Sequence, residues 1–200
     1  MPNLPELTAG VDEVGRGALF GPVVAAATIV TPEQQSLLLN AGVRDSKQLS
    51  PQRREELAAL IRTTALTWGL GWAHTREIDR INILQATFLA MHRAISRLCP
   101  PPQHCLIDGN KVIPQVNLPQ TPLVKGDRRS VAIASASILA KVHRDRWVAS
   151  LARRYPGYDL ASNKGYGSAT HRQAIQNLGT TPDHRLSFAP CKGQLELDSG

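Results

Sequence analysis

Cysteine, long apolar runs and the familiar cofactor signatures are all scarce or missing in these 200 residues. Each scarcity closes off a class of protein. Three cysteines, Cys99, Cys105 and Cys191, form no CxxC pair and leave an odd count. A disulfide scaffold is therefore not expected, a reducing compartment is the natural reading, and the three read as small apolar fillers. The six histidines show no HExxH or paired zinc spacing. The longest apolar run, Pro22 to Val30, is far short of the ~20 residues that span a bilayer. The first residues, Met-Pro-Asn-Leu-Pro-Glu-Leu, lack the basic region and apolar stretch of a signal peptide. A soluble, cytoplasmic protein without a membrane partner is expected. No internal repeat or low-complexity tract is present, and no GxSxG or adjacent base marks a serine nucleophile.

Acidic residues are also scarce in one part of the chain. Residues 125–192 hold twelve Lys/Arg against four Asp/Glu, while the remainder holds eleven against twelve. The whole formal charge of +7 thus comes from the late segment, and the acids of interest lie mostly before it. A polyanion held by the basic segment and worked on by the acids would explain that division. A basic, solvated face would explain the charge alone.

The pattern of elements is α/β. Thr8-Ala9-Gly10-Val11 and the β-branched, alanine-rich run Val23 to Val30 read as antiparallel strands joined through Val14 to Gly21. Thr31-Pro32-Glu33 has the cap and first-turn chemistry of a short helix to Ala41. Ser50-Pro51 opens a second helix to about Thr64, with Leu57, Leu60 and Ile61 as its buried stripe. Thr67 to Ala73 reads as a strand. Ile83, Leu84, Phe88, Leu89, Met91 and Ile95 fall at helical spacing within Asn82 to Leu98. His104 to Ile107 and Thr121 to Val124 are further strands, and a long helix is expected from about Arg129 to Arg153. Tyr155 to Pro190 reads as loop and short helix, and Gly193 to Gly200 as a frayed tail. A single catalytic domain over 1–192 is expected, with a core to about 154 and a helical extension over about 155–192. Its architecture is a mixed central sheet flanked by helices.

The chemistry concentrates at a few places. Asp12 and Glu13 follow the first strand, and neighbours on a strand point to opposite faces, so one of them leans toward whatever covers the sheet. Asp108-Gly109-Asn110 ends an apolar strand, where α/β sheets place functional groups; a plain Asp-Gly turn has the same sequence. Asp127 precedes the long helix with Ser130 three positions on, an N-cap pattern that does not exclude a place near a metal. If these ends converge, four carboxylates raise one another's pKa. Mg²⁺ or Mn²⁺, hard ions that prefer oxygen, would resolve the conflict. Two such ions suit hydrolysis of a phosphodiester.

Gly15-Arg16-Gly17 with Gly21 has GxGxxxG spacing, and Gly21-Pro22 breaks any helix that should open there. A dinucleotide loop or P-loop is excluded on that ground and by the absence of a Walker lysine-serine pair. Bare backbone close to a ligand, with Arg16 on a phosphate, is the better use. Gly165-Tyr166-Gly167 repeats the theme, with a tyrosine that either stacks on a base or sugar or half-buries its ring in a turn. Asp45-Ser46-Lys47 either places Lys47 on a phosphate or is a solvated turn. Lys125, Arg144, Arg146, Lys164, His171, His184 and Arg185 are candidate contacts to a nucleic-acid backbone. The small-residue face of the long helix, Ala132, Ala134, Ser135, Ala136, Ser137 and Ala140, reads as close packing on the sheet.

Taken together these segments resemble ribonuclease HII, the type 2 ribonuclease H. The residues that carry the likeness are Gly10-Val11-Asp12-Glu13-Val14-Gly15-Arg16-Gly17, Asp45-Ser46-Lys47, Ile107-Asp108-Gly109, Lys125-Gly126-Asp127, the stretch to Asp145 and Gly165-Tyr166-Gly167. The resemblance runs from about residue 8 to 190 and implies a ribonuclease H-like fold. It implies Mn²⁺- or Mg²⁺-dependent endonucleolytic cleavage of RNA in RNA–DNA hybrids, or of ribonucleotide-containing duplex DNA. The cut would fall on the 5′ side of a ribonucleotide and leave 3′-hydroxyl and 5′-phosphate ends, by a protein acting as a monomer. By position, Asp12, Glu13, Asp108 and Asp127 would be the catalytic, metal-binding carboxylates, with Gly15, Arg16, Gly17, Lys47 and Tyr166 on the substrate. The type 3 enzyme usually carries Lys between the two glycines and a long N-terminal domain; Arg16, and the eleven residues before Asp12, favour type 2. A non-catalytic nucleic-acid-binding module of the same fold is the alternative from another class, and uncompensated acids would weaken its hold on a polyanion.

Overall fold

The computed structural model describes residues 5–44 and 49–192. Five strands form one mixed sheet in the order β3-β2-β1-β4-β5. The strands are β1 (Thr8–Val14), β2 (Val23–Ile29), β3 (Thr67–Ala73), β4 (His104–Asp108) and β5 (Gln120–Leu123). β1 pairs antiparallel with β2 and parallel with β4. The helices are α1 (Pro32–Asn40), α2 (Pro51–Thr64), α3 (Thr75–Ile95), α4 (Val131–Leu151), α5 (Leu160–Asn163), α6 (Ala169–Leu178) and α7 (Ala189–Lys192). Among the described residues no helix is long and apolar enough to cross a membrane.

Two layers of helix enclose the sheet because its strands are apolar on both faces. Ala9, Val11, Ala25, Ala27 and Ile107 pack with Phe88, Met91 and Ala94 of α3. Val24 and Ala26 point the other way, into Ala134, Ala136, Ile138 and Leu139 of α4 and Leu57 and Ile61 of α2. The first half of α4, Ala132 to Ala140, is buried around its whole circumference, the pattern of a core helix. It lies hard against β1: a Cβ on Gly10 would sit 2.3 Å from the backbone of Ala132. The small-residue face is therefore a packing surface, as expected.

Four sequence expectations shift. β1 does not end at Val11 but carries Asp12 and Glu13 inside the strand, opposite Ala26 and Ala25 of β2. α3 begins at Thr75, and Asn82 (φ 66°) breaks and restarts it, its Oδ1 accepting from the N–H groups of Leu84 and Gln85 at 3.0 and 3.1 Å. The helical periodicity after Asn82 thus marked the restart. α4 is capped by Ser130, whose hydroxyl accepts from Ile133 N–H, so Asp127 is not its cap. Cys105 and Cys191 are buried fillers, with burial pushing each thiol up to about 11, but Cys99 is exposed.

The chain after α4 adds a small apolar cluster of its own. Tyr158, Leu160, Ala174, Ile175 and Cys191 close over Leu19, Phe20 and Val148. Phe20 is fully buried, which contributes about 2–3 kcal/mol and ties the β1–β2 connection to the C-terminal segment.

Candidate active site

The parallel register of β1 and β4 brings the first acids together. Val11 stands opposite Ile107, so Asp12 and Asp108 are neighbours one position further on, across a strand spacing of about 5 Å. Both follow the alternation that sends Gly10 and Leu106 toward α4. Glu13 takes the opposite face and lines a small cleft with Arg16, Phe88, Met91, Asp108 and Lys111.

Asp12 is only 6% exposed. Its Oδ1 accepts from Glu13 N–H at 2.7 Å, and the Ser137 hydroxyl donates to its carboxylate. Burial, then the charges of Glu13 and Asp108, hold its pKa well above the usual carboxylate range. Burial likewise raises Glu13, against the opposing charge of Arg16, whose guanidinium lies 3.2 Å away. Ser137 was legible only as a small packing residue, because nothing in the sequence ties position 137 to position 12.

Asp127 is placed by the turn that packs on Asp108, and it lines a different groove from Glu13 and Asp108. Gly126 N–H donates to Asp108 Oδ1 at 2.7 Å, and Gly126 opens a single 3₁₀ turn to Arg128. A Cβ at Gly126 would crowd Ile133 Cδ1 at 2.6 Å and Asp108 Oδ1 at 3.2 Å, so glycine fits this close seat on Asp108 without displacing either. Asp127, the next residue, borders an open groove with Leu106, Arg129 and Ser130.

The donor set suits a hard divalent cation. It is made of carboxylate oxygens, two of them on acids that burial and mutual repulsion disfavour as anions. Among the described residues no three His, Cys, Asp or Glu side chains gather as a group that would hold an ion by themselves. An ion here would draw on one or two carboxylates, with water and a substrate phosphate completing its shell, as Mg²⁺ commonly does.

The loop after β1 is held from beneath by two arginines that are fully buried. Arg144 donates to the carbonyls of Phe20, Pro22 and Lys164 at 2.9, 3.1 and 2.9 Å. Arg185 donates to those of Gly15, Arg16 and Gly21 at 2.6, 2.8 and 3.0 Å. Burial, with Arg144 beside it, lowers Arg185 to about 9, still protonated at neutral pH. Gly15 has φ +88°, and a Cβ there would lie 2.1 Å from Arg144 Nε, so the turn and the clamp both demand glycine. Gly17 is different: nothing stands within 4 Å of a Cβ built on it. Packing does not explain that glycine.

Tyr166 joins the same place. Its residue bridges Ala18 in antiparallel fashion, and the Gly165 carbonyl accepts from Leu19 and Phe20 N–H. The ring lies near Arg144 and Lys141, at 5.2 and 5.6 Å from its centroid.

Of the candidate backbone contacts, Arg144, Arg185, His171 and His184 are buried and bonded internally. They are not phosphate contacts, because their hydrogen-bonding capacity is spent on carbonyls, on one another and on Thr181. Arg146 reaches solvent but pairs with Glu55. Lys125 is exposed and Lys164 half-buried. Lys47 lies outside the described residues.

Adjacent acids at the carboxyl ends of central strands in this sheet, beside a glycine loop held by cations, describe a metal-dependent nuclease of the ribonuclease H-like class. The family model for ribonuclease HII matches residues 9–191. Ribonuclease HII of Acaryochloris marina (strain MBIC 11017) is 57% identical over 198 residues, covering 99% of this chain and 100% of that one. The crystal structure of ribonuclease H2 from Pyrococcus horikoshii OT3 superposes with a TM-score of 0.80 at 25% identity, covering 96% and 99% of the two chains. Bst-RNase HIII in complex with Mn²⁺ shares the fold at TM-score 0.68 and 21% identity, covering 96% of this chain and 70% of that one. The chain belongs to the ribonuclease HII family, whose members are metal-dependent endoribonucleases.

Proposed function

We propose that this protein nicks duplexes on the 5′ side of a ribonucleotide, whether that ribonucleotide is embedded singly in DNA or lies within an RNA–DNA hybrid. The observation that carries the reading is the unfilled space at Gly17, on a loop fixed from below and a few residues from Asp12 and Glu13. To distinguish RNA from DNA a protein must sense the 2′-hydroxyl, which both donates and accepts. Backbone N–H groups at Gly15–Gly17 can donate, the Gly17 carbonyl lies outside the Arg185 clamp and can accept, and Tyr166, bridged to Ala18, would bring its ring to the same sugar.

In this reading Asp12, Glu13, Asp108 and Asp127 would hold two divalent ions, Mn²⁺ or Mg²⁺. When bound, these ions would supply Lewis acidity for water attack at phosphorus and for departure of the 3′ oxygen. The chain's own groups do the rest. Ser137 and Glu13 N–H orient the Asp12 carboxylate, and Gly126 N–H orients that of Asp108. Arg16, which pairs with Glu13, would turn to the phosphate when the duplex arrives, as Lys47 would from its own loop. Water adds to phosphorus, the P–O3′ bond breaks, and the products carry 3′-hydroxyl and 5′-phosphate ends. No side chain need become covalently attached. A monomer in the cytoplasm suffices for this chemistry.

A series of duplexes differing at one sugar tests the reading. With a 2′-hydroxyl at one position, a single nick is expected; with 2′-deoxy or 2′-O-methyl at that position, cleavage is expected to fall about 10²-fold or more, since a site built to bond a hydroxyl rejects its absence strongly. Equal cleavage of all three would remove the loop from ribose recognition. A type 3 specificity would show instead as poor nicking at the single ribonucleotide and efficient cutting of continuous RNA–DNA hybrid.

A further inference from the structure

Beneath Tyr166 lies a pair of histidines that the proposed chemistry does not use. His171 and His184 are 0% and 1% exposed, and their Nε2 atoms are 3.1 Å apart. The other partners fix every proton. Thr181 N–H donates to His184 Nδ1 at 2.9 Å, so His184 carries its proton on Nε2 and donates to His171. His171 Nε2 therefore accepts, its proton sits on Nδ1, and that N–H donates to the Tyr166 carbonyl at 2.9 Å. Burial pushes both rings down, His184 to about 4, so the pair stays neutral and ordered near neutral pH.

The chain of bonds links two parts of the site. His184 packs edge-on against Phe20 at 5.1 Å between ring centroids and bridges it through the backbone. Phe20 ends the Gly15–Gly21 loop, while His171 rises from α6 to the residue that faces that loop. The Tyr166 backbone otherwise has local bonds, from its N–H to Asn163 O and from Ser168 N–H to its carbonyl.

We infer that the His171–His184 pair is a positioning element for Tyr166, a hydrogen-bonded strut of fixed proton order that sets this tyrosine against the Gly15–Gly17 loop. The inference rests on the reading of Tyr166 as a substrate contact. Neither histidine touches substrate; both act through the Tyr166 carbonyl.

Two near-isosteric substitutions separate positioning from packing. The amide of His171→Asn falls near Nδ1 and keeps the donor to Tyr166 while losing His184. The amide of His171→Gln falls near Nε2, keeps His184 and releases Tyr166. Each loses one buried hydrogen bond, so their thermal stabilities should be similar. On a duplex with one embedded ribonucleotide, His171→Gln is expected to lose about five- to tenfold in kcat/KM, the worth of about one hydrogen bond. His171→Asn should stay within about twofold of wild type. The His171→Gln loss should also vanish in a Tyr166→Ala background. Equal effects of Asn and Gln, or a Gln loss that persists without the tyrosine ring, overturn the inference. If Tyr166→Ala itself cleaves like wild type, the substrate role of Tyr166 falls and the inference with it; an impaired Tyr166→Ala beside an unimpaired His171→Gln sinks the inference alone. Should either variant fail to fold, ¹⁵N shifts of the wild-type imidazoles decide: protons on His171 Nδ1 and His184 Nε2 are required, and the reverse order contradicts the strut.

Discussion

Asp12→Asn is expected to lower nicking by about 10³-fold or more, a loss of about 4 kcal/mol in barrier stabilisation, while making the metal-free protein more stable to heat. Both effects follow from one fact. The Asp12 carboxylate is buried beside Glu13 and Asp108, and its pKa is raised. A carboxyl group whose folded pKa lies above its unfolded value contributes stability below the unfolded pKa, and that contribution is lost as pH rises through the folded pKa. Ionisation of the group therefore weighs against the metal-free fold. Asparagine keeps an oxygen for Glu13 N–H and the Ser137 hydroxyl but carries no charge. In chelator the variant should melt above wild type, by a margin that narrows toward acid pH. Mn²⁺ should raise the melting temperature of wild type more than that of the variant, because an ion that binds only the folded state stabilises it. Affinity for the duplex should hold or improve as one negative charge leaves the site. A variant that melts below wild type in chelator and loses the duplex would make Asp12 a structural residue.

The second large effect concerns stability. Arg185→Met keeps a long apolar stem but removes three donors from the carbonyls of Gly15, Arg16 and Gly21. The Gly15 carbonyl would keep only a long bond from Ala18 N–H at 3.3 Å, and those of Arg16 and Gly21 would lose their arginine donors; acceptors left without partners cost about 1–3 kcal/mol each, not additively, so a loss of about 3–5 kcal/mol is expected. That is a large part of the about 5–15 kcal/mol that holds a typical domain together. Urea unfolding measures it directly, and Arg185→Lys should fall between, since one ammonium cannot reproduce a guanidinium's fork of donors. A shift under about 1 kcal/mol would show that the loop keeps its shape without the clamp.

These arginines also mark the limit of what the sequence discloses. Counted by position they belong to the basic segment and read as phosphate contacts, because composition records a charge and not where its side chain ends. Arg144 reaches the β1–β2 loop from α4, and Arg185 from the return of the chain after it. His171 and His184 were misread for the same reason. Local signals fared better: Thr31-Pro32 and Ser50-Pro51 opened α1 and α2 where the caps placed them, and apolar runs marked all five strands. The strand alternation foretold that one of Asp12 and Glu13 would lean inward, and Asp12 does, onto Ser137. The contact itself depends on α4 lying parallel to β1 across Gly10, a tertiary fact. Asp127 misled as a cap because Asp and Ser both cap helices well, and Ser130 stands closer to the first turn. Gly10 and Gly15 are glycine for the fold. Gly17 is not explained by packing, since the space beside it is open.

The position of the cut and the ends it leaves define the activity. A 5′- and 3′-end-labelled duplex with one ribonucleotide, incubated with Mn²⁺ or Mg²⁺, should give a single nick on the 5′ side of that residue. The product ends should be a 3′-hydroxyl and a 5′-phosphate, and chelator should leave the duplex intact. Cleavage on the 3′ side with a cyclic phosphate, or an intact duplex under every metal condition, would contradict it.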